Sequence, residues 1–586
     1  MEICLDTETR ARVDLKKVGA HRYIEDPDFA LLLLGWSADG GPVEHAEFDD
    51  AYDVVSLLLE ADELWAHNAA FDRLVLGTLD KRLAEPDRWH CTMVAAAEAG
   101  LPQSLDQLAR AVGAEEKDTA GTRLINMFSK PNGRTGAFRG PETDPESWEL
   151  FVDYLHQDVA TLADVRTRLP ELLPSERRLW LADQRINDRG VRVDVETIPL
   201  AIAADTQNKA DGIDELKALT GLANPNSVQQ LGGWLGMRSL AADAVEARLA
   251  KETDPDRHRV LELRQVIAGT AVKKYEAARL QVCADGRARG QFRFFGAHTG
   301  RWSGKGIQLQ NLPRASFKTQ AQRDAVLLDL QLGLGATPDE LKALIRPMLL
   351  GPLTVVDFAQ IEARVIAWLA GERWVLDAFS EGRDIYTETA QAMGPRFTRQ
   401  QGKTAVLACG FGGSVGALLR MGATGTDEEL LPIVQGYRKA NPNIVRLWYG
   451  LWDALLYGTE YGRLRVRKVG HDRHLVLPSG RAIVYRDLRR YDGDWWFHGG
   501  RARTKLWHGI IAENVTQAVA RDLLAAAILR LEDELGPVLV GHVHDEVILE
   551  GRHDVDQVIK LMCDAPAWAD GLPVGAEGHI FDRYQK

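Results

Sequence analysis

Hydrophobic and polar positions along the chain follow two alternating patterns. Up to about residue 170, short apolar runs (EICLDTE, ALLLLGW, LWAHNAA) are interleaved with helical patterns such as VVSLLLEA and FVDYLHQDVATLADV. Strands separated by helical segments predict an α/β domain. The segment RLPELLPSERR, with two prolines and a charge run, then reads as a junction. From about 175 to 280 the apolar residues recur mostly at helical spacing, interrupted by the turn signals NDRG and NPNS and closed by the Gly-rich basic link CADGRARGQ. From 291 onward short strands return (QFRFFG, LTVVDF, HLVLPSGRAIVY, VLVGHVHDEVILEG), with long helical segments between them. This predicts an α+β second half with a helical insertion from about 374 to 510. No internal repeat and no low-complexity tract is present.

At 586 residues the chain is too long for one core, and at roughly 150 residues per domain it calls for about four lobes. Hydrophobic residues at 45% and charged residues at 26% fit a soluble globular protein. A formal charge of -13 argues against a protein that coats nucleic acid non-specifically. It leaves room for a nucleic-acid enzyme, because charge acts locally and carboxylates are neutralised by metal. The basic clusters Arg463, Arg465, Arg467, Lys468 and Arg486, Arg489, Arg490 read, each taken alone, as solvated faces. Five cysteines lie far apart without a CxxC pair, so they signal neither a disulfide framework nor zinc but small buried hydrophobes in a reducing compartment. MEICLDTETR is charged from its second residue and ALLLLGW is too short to span a bilayer, so no membrane is expected and the cytosol is the default.

Chemistry enters through carboxylates set among apolar residues. HVHDEVILE reads as an apolar strand except for His544, Asp545 and Glu546 in its middle. Charges in such surroundings are costly unless a partner or a metal takes them up. In LTVVDFAQIEARVIAWLA an apolar strand ends at Asp357, and Ile361, Val365, Trp368 and Leu369 then repeat at helical spacing. Asp357 thus falls at a strand's carboxyl end and Glu362 at a helix start, and Asp545 is the natural second carboxylate if the two strands are neighbours. Between them Arg399, Lys403, Leu407 and Phe411 are spaced by four down one helical face, which taken alone reads as the basic edge of an amphipathic helix and is also a strip able to hold a triphosphate and cover a base.

A second set lies at the N-terminus. Asp6 and Glu8 are two apart on a strand and share a face, as at a strand end awaiting a cation. HNAAFD offers Asn68 and Asp72, and YLHQD offers Tyr154 and Asp158, each pair at helical i, i+4 spacing. Four carboxylates and a tyrosine in one small α/β domain suit two-metal hydrolysis of a phosphodiester.

DTE, NAAFD and YLHQD resemble the three motifs of the tyrosine-bearing DEDD proofreading exonucleases. That likeness implies a ribonuclease H-like domain in which Asp6, Glu8, Asp72 and Asp158 ligate metal and Tyr154 positions the attacking water. DFAQIEAR, RQQGKTAVLACGFG and HVHDEV are similar to motifs A, B and C of the family A DNA polymerases, and TGRWSGKGIQLQNLP resembles their primer-template motif. ENVTQAVARD and GRDIY match further, so the resemblance spans almost the whole chain.

It implies an exonuclease domain at 1–172, a mostly helical thumb at 173–290, palm at 291–373 and 511–586, and fingers at 374–510, a right-hand polymerase. Asp357 and Asp545 would hold two Mg2+ ions, replaceable by Mn2+, with Glu546 accessory. Glu362 would exclude a 2'-hydroxyl, Arg399 and Lys403 would bind the triphosphate, and Phe411 would stack near the templating base. Arg301, Gln310, Asn311, Gln517 and His544 would contact primer and template. Leu407, Phe411, Phe358, Ala359 and Tyr386 depart from the commoner bacterial pattern, which bears on nucleotide-analogue selection.

The implied activity is template-directed DNA synthesis from dNTPs with 3'-5' proofreading, by a monomer of phage type in the cytoplasm of a bacterial or phage-infected cell. No 5'-nuclease domain is expected ahead of the exonuclease. A single-subunit RNA polymerase, an exonuclease with a silent second half and a primer-template binding protein are the competing readings; Glu362, the proofreading motifs and the retained Asp357, Lys403 and Asp545 speak against them.

Overall fold

A computed structural model describes residues 1–114, 121–499 and 503–585. The N-terminal domain is built on strands β1 (Glu2–Arg10), β2 (Ala30–Ala38), β3 (Glu44–Glu47), β4 (Glu63–Ala66) and β5 (Trp89–Cys91), in the spatial order β3-β2-β1-β4-β5. β1 runs antiparallel to β2 and parallel to β4. Two helices complete its acidic face, α1 (Ala69–Leu76) and α2 (Pro145–Arg168). Gly35 stands opposite Asp6 in the β1–β2 register, and a Cβ there would fall 2.8 Å from the Leu155 side chain. Its bare backbone lets α2 lie directly on the sheet. β1 continues to Arg10, so Asp6 and Glu8 lie within the strand and not at its end, and the register shifts immediately after Glu8.

Helices dominate the next stretch, as the spacing predicts: α3 (Pro174–Arg189), α4 (Thr197–Thr220), α5 (Pro255–Ala268) and α6 (Val272–Gln281). The proline-marked junction places Pro174 in the first turn of α3, where its missing N–H costs nothing.

The second half centres on β6 (Leu350–Phe358), after which come α7 (Ile361–Ala370), α8 (Ile385–Met393), α9 (Arg399–Cys409) and α10 (Pro442–Tyr457). Residues 460–506 depart from the helical insertion expected there. They form a six-stranded antiparallel meander: β7 (Glu460–Tyr461), β8 (Leu464–Val469), β9 (Asp472–Val476), β10 (Ala482–Tyr491), β11 (Asp494–His498) and β12 (Arg503–Leu506). LVLPSGRAIVY, which reads as one strand, is two strands folded at Pro478–Gly480. The chain closes with α11 (His508–Leu535), β13 (Leu539–Val543), β14 (Glu546–Glu550) and β15 (Ala576–Arg583), in a sheet ordered β13-β14-β6-β15.

The α3 segment is tied to α11 through charge. Arg521 donates two bonds to Glu176, at 2.6 and 2.7 Å, with both side chains buried. Burial opposes ionisation of Glu176, yet the Arg521 charge and hydrogen bonds hold it below the usual carboxylate range. Cys4, Cys91, Cys283 and Cys409 are buried and unpaired, as small hydrophobes, and Cys563 is half-buried.

Candidate active sites

The β6–β14 pairing decides the first site. β6 is buried from Leu353 to Val356 and sets Asp357 directly opposite Glu546. His544 and Asp545 form the two-residue turn between β13 and β14, with His544 in the left-handed region at φ 55°. The Phe358 N–H donates to the Asp545 carbonyl at 3.1 Å and fastens that turn to the end of β6. Asp357 is thereby brought to the same end of one sheet as the adjacent pair Asp545 and Glu546, nearly 190 residues further along the chain.

Tyr584 answers what the buried Glu546 holds. Its hydroxyl donates to Glu546 Oε1 at 2.7 Å, and it is itself 1% exposed. Burial raises the Tyr584 phenol, and the charges of Glu546 and Asp357 raise it further, so it stays a donor.

A cavity of about 410 Å3 opens beside this sheet end, with Asp545, His544, Arg301 and Glu362 on its walls facing Tyr386, Leu407 and Phe411. Gln360, at φ 47°, makes the turn from β6 into α7 and puts Glu362 in the first helical turn. Arg301 donates to Glu362 at 2.5 Å. Gln517 donates to Glu513 at 3.1 Å, and burial, then the Glu362 charge, push the Glu513 carboxyl up. Arg301, Glu362, Glu513 and Gln517 thus form one polar group at the cavity. His544 Nε2 donates to the Gln310 carbonyl at 3.3 Å. Asn311 lies apart, on a second cavity of about 900 Å3 shared with the helical lobe, where its amide reaches Gln308 at 3.4 Å.

Helix α9 starts from a Thr398–Gln401 capping box. Arg399 donates twice to Asp384, at 2.7 and 3.2 Å, and those bonds hold the Asp384 carboxyl at about 2. The Tyr386 ring faces both cations, with Arg399 at 5.4 Å and Lys403 at 5.9 Å from its centre. Leu407 is 47% exposed into the cavity, and Phe411 lies just past the helix end, not within its strip.

The second site lies on β1, α1 and α2. Glu8, Asp72 and Asp158 are buried and Asp6 is half-buried. The Thr7 hydroxyl donates to Asp72 at 2.7 Å and ties α1 to β1. Burial pushes the Asp72 carboxyl up to about 7, against the Thr7 bond. Burial raises the Tyr154 phenol, and the charges of Asp158, Glu8 and Asp6 raise it further. Asn68 takes the left-handed N-cap of α1 at φ 76° and makes no side-chain cap.

Among the described residues no three His, Cys, Asp or Glu side chains form a ready-made metal cage. The donors at both sites are carboxylate oxygens, the set that suits hard cations which keep part of their water.

Three contributors carried too little sequence signal to be singled out: Tyr584 near the terminus, Glu513 inside ENVTQ, and Asp384 inside GRDIY. Glu513 and Asp384 each stood within a quoted motif, four residues from Gln517 and two from Tyr386.

Residues 215–445 match the family model described as DNA polymerase family A. A DNA polymerase of Bacillus phage SP02 is 37% identical over 649 aligned residues, covering 100% of this chain and 99% of that protein. The chain therefore belongs to DNA polymerase family A, a class of nucleotidyltransferases. A thermostable DNA polymerase I of Thermus thermophilus is 28% identical over 66% of this chain, which spans 46% of that enzyme. The POL domain of Pol1 from M. smegmatis, solved in complex with DNA primer-template and dNTP, superposes with a TM-score of 0.63 at 17% identity, covering 98% of this chain and 95% of that one. Its likeness is one of fold.

Proposed function

We propose that the chain extends a DNA primer 5'-3' on a DNA template with dNTPs and removes mispaired 3' ends at its N-terminal domain. The observation that carries the first part is the β6–β14 register, which joins Asp357, Glu546 and Asp545 beside a cavity walled by Glu362, Tyr386 and Phe411. The second part is supported by strand β1 and helices α1 and α2, which carry Asp6, Glu8, Asp72, Tyr154 and Asp158, with Asp72 bound by Thr7 between Asp6 and Glu8. The strand order of the first domain supports a ribonuclease H-like exonuclease at 1–172. Thumb at 173–290, palm at 291–373 and 511–586 and fingers at 374–510 complete a right-hand arrangement. The primer-template and dNTP of the structural neighbour support the same partners here.

Asp357 and Asp545 would hold two Mg2+ ions, and Asp6, Glu8, Asp72 and Asp158 two more, supplying charge neutralisation at the attacking and leaving oxygens. Arg399 and Lys403 bind the triphosphate, for which Arg399 exchanges its Asp384 partner for phosphate oxygens. Glu362, braced by Arg301, lies under the incoming sugar and excludes a 2'-hydroxyl. Phe411 stacks near the templating base, and Leu407 faces the nascent pair. Arg301, Gln310, Gln517 and His544 follow the primer end and the minor groove, where acceptors shared by all base pairs permit a sequence-independent check. Tyr154 positions the water that attacks the 3'-terminal phosphodiester. Among the described residues no helix is long and apolar enough to cross a membrane. A monomer working in the cytoplasm of a phage-infected or bacterial cell completes the reading.

Supplying one primer-template with either dNTPs or rNTPs tests the assignment. Extension with dNTPs and almost none with rNTPs is expected, and equal use of rNTPs would transfer the chain to the RNA polymerase reading. Tyr584 is a positioning residue for Glu546. Tyr584→Phe is expected to lower kcat about tenfold, the value of one bond to a charged group, with the KM for dNTP held. An unchanged kcat would remove Tyr584 from the site.

A further inference from the structure

The overall charge of -13 conceals a local excess of opposite sign. Residues 460–506 carry twelve Arg and Lys against five Asp and Glu, a net of +7. This segment is the six-stranded meander, of which the sequence pattern predicts only the strand at HLVLPSGRAIVY. Its two faces differ. Val466, Leu475 and Ile483 are register partners on one face, joined there by Phe497 and Leu506, and all are buried.

The opposite face of β10–β12 is polar and ordered in rows. Arg489 stands opposite Trp496, and Trp496 opposite Lys505, so a tryptophan is flanked on both sides by cations. In the next row Arg486 faces His498 and His498 faces Arg503. The Arg503 guanidinium also lies 4.4 Å from the centre of the Tyr491 ring. The side chains of Arg489, Arg503 and Lys505 are 48%, 45% and 53% exposed. Asp487 pairs with Arg489 and lies 3.7 Å from Arg503, and Asp494 pairs with Lys505 at 2.6 Å. Four cations against two carboxylates leave the face positive.

Its boundaries give it a direction. The Gly100 turn of the N-terminal domain packs on Val484 and covers the face upstream of Arg486. At the other end β12 runs directly into Trp507, which is 39% exposed and packs with the Phe411 carbonyl around Gly509. The open rows therefore lead toward the Phe411 wall of the polymerase cavity.

We propose that this face binds the single-stranded template ahead of the polymerase cavity, an inference that rests on the primer-template reading above. Cations in rows suit a phosphate backbone, and a tryptophan between them suits an unpaired base, whose ring face a duplex would hide. Stacking accepts every base, as a template track requires.

The test uses the full chain and two primer-templates of identical duplex, one with a 5' template overhang of about 12 nucleotides and one of about 2. Binding is read by fluorescence anisotropy. The wild type is expected to bind the long overhang about tenfold more tightly, and the variant Arg489→Ala, Trp496→Ala, Lys505→Ala to lose that advantage. Loss of two cations lowers the slope of log K against log salt by about 1.4 on the long overhang. Single-nucleotide extension on the short overhang stays at the wild-type rate, which shows that the variant is folded. Retention of the long-overhang advantage by the variant would overturn the proposal, as would equal weakening on both substrates, which marks a duplex contact. A wild-type advantage that moves to an overhanging 3' primer strand would overturn the choice of template. Failure of the wild type to extend even the short overhang, with its overhang advantage intact, would count against the polymerase reading and not against this surface.

Discussion

Asp545→Ala is expected to abolish primer extension while 3' shortening continues at the wild-type rate. Asp545 sits in the β13–β14 turn, fixed through its own carbonyl to the Phe358 N–H, so truncating its side chain leaves the backbone bond in place. On the proposed reading, what is lost is one of the two carboxylates that would hold metal against the reacting phosphate. A charge-stabilising group of this kind is worth several kcal/mol in the transition state, which puts the fall in kcat at about 1000-fold or more. Rapid-quench measurement of single-nucleotide incorporation checks it, with thermal unfolding to confirm the fold. A folded variant that also loses shortening would show that the two activities do not occupy separate sites.

The mirror experiment is Asp6→Ala. Asp6 lies mid-strand in β1, half-buried, with Glu8 beyond it and Asp72 bound to Thr7 between them. Removing one carboxylate from a crowded acidic group relieves like-charge repulsion in the free protein, so stability should hold or rise. Shortening of a single-stranded 3' end is expected to fall by about 1000-fold, with extension untouched. Misinserted bases should then persist in the product, which sequencing of long extensions would count. Shortening at the wild-type rate would remove Asp6 from the site and leave Tyr154 without its role.

The local pattern revealed more of the candidate polymerase site than of its surroundings. Asp357 at a strand end, Glu362 at a helix start and Asp545 in a strand turn are properties of short stretches, and an apolar run interrupted by carboxylates marks them whatever lies elsewhere. The antiparallel pairing that joins Asp357 to Glu546 could only be assumed. Contacts between distant residues left no local trace. Tyr584 reaches Glu546 from the far end of the sheet, and Arg521 reaches Glu176 across 345 residues. Within the meander only HLVLPSGRAIVY reads as strand; the flanking strands are short and rich in arginine, a composition shared by exposed helices and loops. Arg399, Lys403 and Leu407 share one helix, as their spacing predicts, and Phe411 does not. A four-residue period cannot show that the helix ends at Cys409, so Phe411 falls in the turn beyond it. The same strip gave no hint that Asp384, fifteen residues upstream, neutralises Arg399 in the free protein.

One measurement tests the central claim most directly: a 5'-labelled primer on a longer template, incubated with the full chain and Mg2+, with and without the four dNTPs, and resolved on a gel. Extension to the template end with dNTPs, and stepwise shortening from the 3' end without them, is the result two separate sites predict. Shortening in both lanes, or no change in either, would contradict a working polymerase centre at Asp357 and Asp545.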